Sequence, residues 1–172
     1  MRWIWIDRIT ALEKGLRCAA VKNVSLAEEH LHDHFPAVGS RKAMPIMPAP
    51  LIIEGMAQTA GIMVGHARDF AEKVILAKIT KATFERDVFP GQTLIYEATL
   101  DRIDAAGAAT TGTVYVIDPA GASPKRELVG VIELMFSHID QNMKGLAFPE
   151  HNFVFTDQFM DLLRNSGFGG KR

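Results

Sequence analysis

The sequence predicts an α+β domain in which a curved antiparallel sheet of five or six strands wraps around one long central helix. Three observations carry this expectation. The run Leu51 to Gly65 has no charge except Glu54 and no other strong polar group except Gln58 and Thr59. Apolar residues such as Leu51, Ile52, Ile53, Met56, Ile62, Met63 and Val64 occur on every side of it, which marks a buried helix rather than a one-sided surface helix. Strand-like segments flank it in the chain, and a curved sheet is what can enclose a helix with no polar face.

Trp3 to Asp7 is a short aromatic and β-branched run with extended character. Arg8–Glu13 and Leu16–Val24 are expected strands around the turn Lys14-Gly15. Ser25 suits the N-cap of a short helix over Leu26 to Leu31. The loop His32 to Met47 follows, with Gly39-Ser40-Arg41-Lys42 as an exposed, mobile tip. The central helix should begin near Pro50, since the first helical turn tolerates proline, and run to about Phe70. Gly55, Ala57, Ala60, Gly61 and Gly65 leave room for other backbones along it. Glu54, Gln58 and the nearby prolines argue against a membrane span, which needs about 20 apolar residues.

Val74 to Val88 reads as a strand, closed by the turn Phe89-Pro90-Gly91. Thr93 to Ile103 alternates, with Leu94, Tyr96, Ala98 and Leu100 on one face. Ala109–Ile117 and Arg126–Ser137 complete the sheet, joined by a turn around Asp118-Pro119-Ala120-Gly121. Residues 1–139 thus form one domain. Residues 140–172 form a C-terminal extension expected to pack on that domain or on a neighbouring subunit. In it, Thr156 to Asn165 has the pattern of an amphipathic helix, with Thr156 as N-cap and Gly167 past its end. An open sheet also keeps a free edge, and such edges are often paired across a two-fold axis, so a homodimer is expected.

At 172 residues and 48% hydrophobic, the chain can bury a core of its own. Nineteen basic against twenty acidic residues give no electrostatic case for nucleic acid or an anionic membrane. The single cysteine, Cys18, cannot form an internal disulfide and fits a reducing compartment. No apolar stretch of signal-peptide length precedes Asp7 and Arg8. The chain reads as soluble and cytoplasmic, with no membrane insertion.

Glu54 has two readings. A carboxylate in the first turn of a helix is favoured by the dipole, which is a capping role. A carboxyl among apolar residues is instead costly to ionise and suits proton transfer. Gln58, four residues on, shares its face and can hydrogen-bond it. Upstream, His30, His32 and His34 crowd one segment. Their spacing is one residue short of the His-x-His-x-Asp-His run of metallo-β-lactamases and brings no further ligands, so no metal is expected and His30 and His32 are read as solvated.

His34 leads through Phe35-Pro36 into MPIMPAPLIIEGMAQ, which starts at Met44. Here the chain resembles the bacterial (3R)-3-hydroxyacyl-acyl-carrier-protein dehydratases, which have the hot-dog fold. Their signature is a His-Phe-Pro-Gly loop, then x-Pro-x-x-Pro-Gly, then a helix with Glu-Ala-Met-Ala-Gln. The resemblance spans roughly Ile4 to Ile139 and includes Ala82-Thr83-Phe84 and Val88-Phe89-Pro90-Gly91. The two signature glycines stand here as Ala37 and Ala49. The loop between His34 and Glu54 is also longer than the family's, the excess lying near Val38 to Lys42.

The resemblance implies elimination of water from 3-hydroxyacyl thioesters in fatty-acid or related lipid or polyketide biosynthesis, without a cofactor. By position, His34 would take the α-proton, and Glu54 would supply a proton to the leaving hydroxyl or organise its delivery. Gln58 would hold Glu54, the Ala49 N–H would bind the thioester carbonyl, and Phe35 and Pro36 would belong to the substrate-binding loop. The substrate would be linked to acyl carrier protein or coenzyme A. The assembly would be a homodimer, or a hexamer built as three dimers. A hot-dog acyl thioesterase and an inactive acyl-thioester-binding subunit are the alternatives.

Overall fold

The computed structural model describes residues 3–120, 125–139 and 148–169. Six strands form one sheet: β1 (Arg8–Glu13), β2 (Arg17–Asn23), β3 (Val74–Phe84), β4 (Thr93–Ile103), β5 (Gly107–Ile117) and β6 (Glu127–His138). Their order is β1-β2-β4-β5-β6-β3, and every neighbouring pair is antiparallel. The described helices are α1 (Glu29–Asp33), α2 (Ala49–Ala67) and α3 (Asp157–Asn165). α2 lies against the sheet as its filling, with Met56, Ala60, Ile62, Met63 and Val64 wholly buried. This is the hot-dog fold.

Small residues allow that close fit. A Cβ on Gly55 would lie 2.3 Å from the Tyr96 hydroxyl oxygen, and one on Gly112 of β5 would lie 2.2 Å from the Met56 sulfur. The sheet presses on the helix from both positions. β4 buries Leu94, Tyr96 and Ala98 on the face its sequence predicts, but Ile95 on the opposite face is buried as well, so that face is only partly solvated.

Most element boundaries lie within two residues of expectation, and three differ by more. α2 ends at Ala67, because Asp69 and Phe70 adopt left-handed φ values of 53° and 57° and Phe70 N–H returns to the Gly65 carbonyl at 2.8 Å. β3 stops at Phe84; beyond it Val88 leaves the sheet and its carbonyl accepts Met47 N–H at 2.8 Å. α1 starts later than Leu26, because Ser25 caps a preceding turn: its Oγ accepts Ala27 N–H at 3.1 Å and its carbonyl accepts Glu28 N–H at 3.1 Å. Gly121, in the expected β5–β6 turn, lies outside the described residues.

Residues 140–147 of the extension also lie outside them. The described remainder packs on its own chain. Ile9 N–H, at a register shift of edge strand β1, donates to Ser166 Oγ at 3.0 Å. Phe159 and Leu163 of α3 are buried in the core shared with α2. At the opposite edge, β3 has no strand on its outer side among the described residues and exposes Leu76 and Ile79. No helix among the described residues is long and apolar enough to cross a membrane.

Candidate active site

His34 follows α1 directly. Its Nδ1 contacts the Ile46 carbonyl oxygen, which can only accept, so Nδ1 carries a proton and the tautomer of the neutral ring leaves its lone pair on Nε2. The neighbouring Phe35 stacks on the imidazole at 4.4 Å between ring centroids and holds a left-handed φ of 58°. A bulky residue in that conformation is strained, and here it turns the chain so that ring and imidazole lie together.

The long loop is accommodated simply. The chain leaves at Phe35 and returns at Met44, whose N–H donates to the Phe35 carbonyl at 3.0 Å. Between them Val38 and Arg41 exchange backbone bonds of 3.1 and 3.0 Å, closing an exposed hairpin whose Gly39 supplies a φ of 57°. Ala37 is not among the residues with positive φ, so its replacement of a glycine stores no backbone strain.

Ala49 is the first residue of α2, between Pro48 and Pro50, which have no N–H. Its own N–H donates to none of the described residues and points from the positive end of the helix. His34, Phe35 and Ala49 line one cavity of about 520 Å³ with Phe84, Arg86 and Asp87. Pro36 lies outside this lining; its carbonyl accepts from Arg41 Nη2 at 3.2 Å.

Glu54 sits in the second turn of α2, not the first, and its Oε1 accepts from Gln58 Nε2 at 2.8 Å. The capping reading of this carboxylate therefore falls. Gln58 is held in turn by the N-terminal segment, donating to the Trp3 carbonyl at 3.1 Å and accepting Trp5 N–H at 2.8 Å. Glu54 and Gln58 line a second cavity, of about 110 Å³, whose lining shares no residue with the first. The geometry explains the separation. Ile52 faces the His34 cavity, and two residues later the helix has turned about 200°. Within one chain, then, the histidine meets the helix N-terminus but not the carboxylate.

The other candidates are placed differently. His32 is exposed as expected, its Nε2 meeting the Leu26 carbonyl, whereas His30 is only partly exposed, 5.4 Å from the Trp5 ring and 3.7 Å from Glu28. Burial pushes the Cys18 thiol up to about 12, which removes it as a nucleophile. Sequence reasoning missed two groups. Arg86, paired with Glu127, and Asp87 border the His34 cavity; their only signal was a position between two signature segments. Val154, Phe155 and Phe159 of the tail border the Glu54 cavity, where the sequence predicts packing on the domain or a neighbouring subunit but no part in a site.

The profile of the FabA-like domain family matches residues 3–118. A "3-hydroxyacyl-[acyl-carrier-protein] dehydratase FabZ" of Clostridium kluyveri is 33% identical over 141 residues, covering 81% of this chain and 88% of its own. The protein of the same description from Fusobacterium nucleatum is 40% identical over 118 residues, covering 67% and 78%. Among solved structures, smu.793 from Streptococcus mutans, bound to acetyl CoA, aligns at a TM-score of 0.58 and 11% identity, covering 80% of this chain and 91% of that one. At that identity the likeness speaks for the fold alone.

Proposed function

The chain belongs to the FabA-like domain family, and from that membership and the site's geometry we propose that it is a hydro-lyase removing water from (3R)-3-hydroxyacyl thioesters in fatty-acid biosynthesis. The observation that carries the reading is the free Nε2 of His34 in the same cavity as the unengaged N–H of Ala49.

In this reading the Ala49 N–H and the positive end of α2 receive the thioester carbonyl, where negative charge develops as the α-proton leaves. His34 Nε2 takes that proton. The electron pair of the C–H bond becomes the Cα–Cβ double bond as the Cβ–O bond breaks. A proton from the Glu54 carboxyl joins the departing hydroxyl, so water and the enoyl thioester are released. The imidazolium then loses its proton and the carboxylate regains one, which restores the starting state.

His34 and Glu54 must act on one substrate, so each site takes the histidine of one protomer and the carboxylate of its partner. Two features support this. The cavities are separate within a chain, and the Glu54 cavity is bordered by Val74 and Leu76 of β3, the edge with no outer strand among the described residues, where a second sheet can continue the first. The substrate arm is a carrier-protein thioester, and the exposed Arg41 and Lys42 beside His34 suit an acidic carrier. The compartment proposed is the cytoplasm, which a lone cysteine with no internal partner for a disulfide supports.

A coupled assay on a short 3-hydroxyacyl thioester tests the reading. Conjugated enoyl product is expected. Free thiol without enoyl product would make the protein a thioesterase, and neither product would make it a binding subunit.

A further inference from the structure

We propose that the tail, through Val154, Phe155 and Phe159, forms the end wall of the acyl pocket and thereby limits the chain length of the substrate. The inference rests on the reading of Glu54 as part of a thioester site. The Glu54 cavity has one polar end, where Glu54 and Gln58 meet, and an otherwise apolar lining from α2, β3 and β6. Along α2 its lining runs from Glu54 through Ala57 and Gln58 to Gly61 and Ile62, one helical face about 12 Å long at ~1.5 Å per residue. An apolar slot leading away from a carboxylate suits an alkyl chain whose reacting end stays at Glu54. Its volume of about 110 Å³ is small, below the ~150 Å³ of a cavity known to hold benzene, so it suits a short tail.

What closes the slot is the extension. The Phe155 ring lies so close over Gly65 that a Cβ there would be 2.3 Å from its Cζ. Phe155 is braced by Phe70 at 5.0 Å and by Phe159 at 5.2 Å between ring centroids. The backbone is pinned just before it. Asn152 Nδ2 donates to the carbonyls of Phe70 and Glu72 at 3.1 and 3.2 Å, while its Oδ1 accepts the N–H groups of Val154 and Phe155 at 3.0 and 3.2 Å. At the far end of α3, Ser166 anchors to Ile9. The family profile matches residues 3–118 and does not include this segment.

The test uses the full chain and a series of 3-hydroxyacyl thioesters of increasing length, with kcat/KM measured for each. Binding of the corresponding saturated acyl-pantetheine thioesters is measured in parallel by calorimetry. Phe155→Ala opens the wall, and Val154→Trp extends it. Phe155→Leu keeps a buried apolar side chain and guards against a folding failure of the alanine variant. The opened forms should favour a chain two carbons longer by about tenfold relative to wild type, from the burial of two added methylenes, and Val154→Trp should shift the preference the other way. An unchanged length profile in all folded variants, in turnover and in binding, overturns the wall. Absence of turnover with every protein, combined with a shifted binding profile, would sink dehydration while leaving the wall in place.

Discussion

Gln58 fastens Glu54 to the beginning of the chain: its amide nitrogen donates to Glu54 Oε1 at 2.8 Å, and its amide oxygen accepts Trp5 N–H at 2.8 Å. The carboxylate's orientation therefore depends on a segment fifty residues away in sequence. Gln58→Leu should strand a buried Trp5 N–H and release Glu54. We expect a loss of about 2 kcal/mol from the unpaired donor, read from the denaturation midpoint. Turnover should fall with it, even in the folded fraction.

Loss of either reacting group should cost more than loss of its support. His34→Ala and Glu54→Gln should each lower kcat by at least about 100-fold, the lower range for general acid–base groups, with little change in thermal midpoint. His32→Ala should stay near wild type, because its ring only meets the Leu26 carbonyl at an exposed turn. Equal damage from His32→Ala, coupled to activation by added zinc, would point to metal chemistry instead.

The partition of His34 and Glu54 between separate cavities leads to a mixing experiment. Equal amounts of His34→Ala and Glu54→Ala, exchanged at the subunit level, give about half mixed dimers on statistical pairing. Each mixed dimer has one site with both groups and one with neither. Activity should recover to about a quarter of wild type by that symmetry. Continued inactivity after verified exchange would mean that both groups act within one chain.

The hairpin at Val38 to Arg41 holds Arg41 and Lys42 in solvent near His34. Reversing both charges should raise KM for carrier-linked substrates and weaken its response to salt. A small pantetheine thioester should be processed as before. An unchanged KM on the carrier-linked substrate would deny the hairpin this role.

His66 supplies a pH-dependent stability. Burial, with a further push from Lys14 and an opposing pull from Asp69, lowers its pKa below the ordinary 6.5. Its Nδ1 is buried without a hydrogen-bond partner among the described residues. The unfolded chain therefore binds a proton here more readily than the folded one. The neutral imidazole's contribution is present above the unfolded value and is lost as the pH falls through the lowered one. His66→Gln should flatten the fall in unfolding midpoint between about pH 7 and about pH 5. A slope equal to wild type would assign that fall to other groups.

The buried helix was legible in the sequence because its signals are local: a proline that only the first turn accepts, and apolar side chains on every side. β1 and β4 were legible for the same reason, since a hairpin turn and a largely alternating pattern act between near neighbours. Gly65 could be seen to invite close packing, but not by what. Phe155 comes to rest there through α3 and the Asn152 bonds, contacts between residues far apart in sequence. The first-turn reading of Glu54 failed on the helix count: it is the fifth residue from Pro50 and the sixth from the observed start at Ala49, beyond the ~3.6 residues of one turn on either boundary. His34 and Glu54 could each be picked out by type and motif. That they face different cavities follows from the rotation of α2 against the sheet, which is set by packing on both sides of the helix and by no pattern within it.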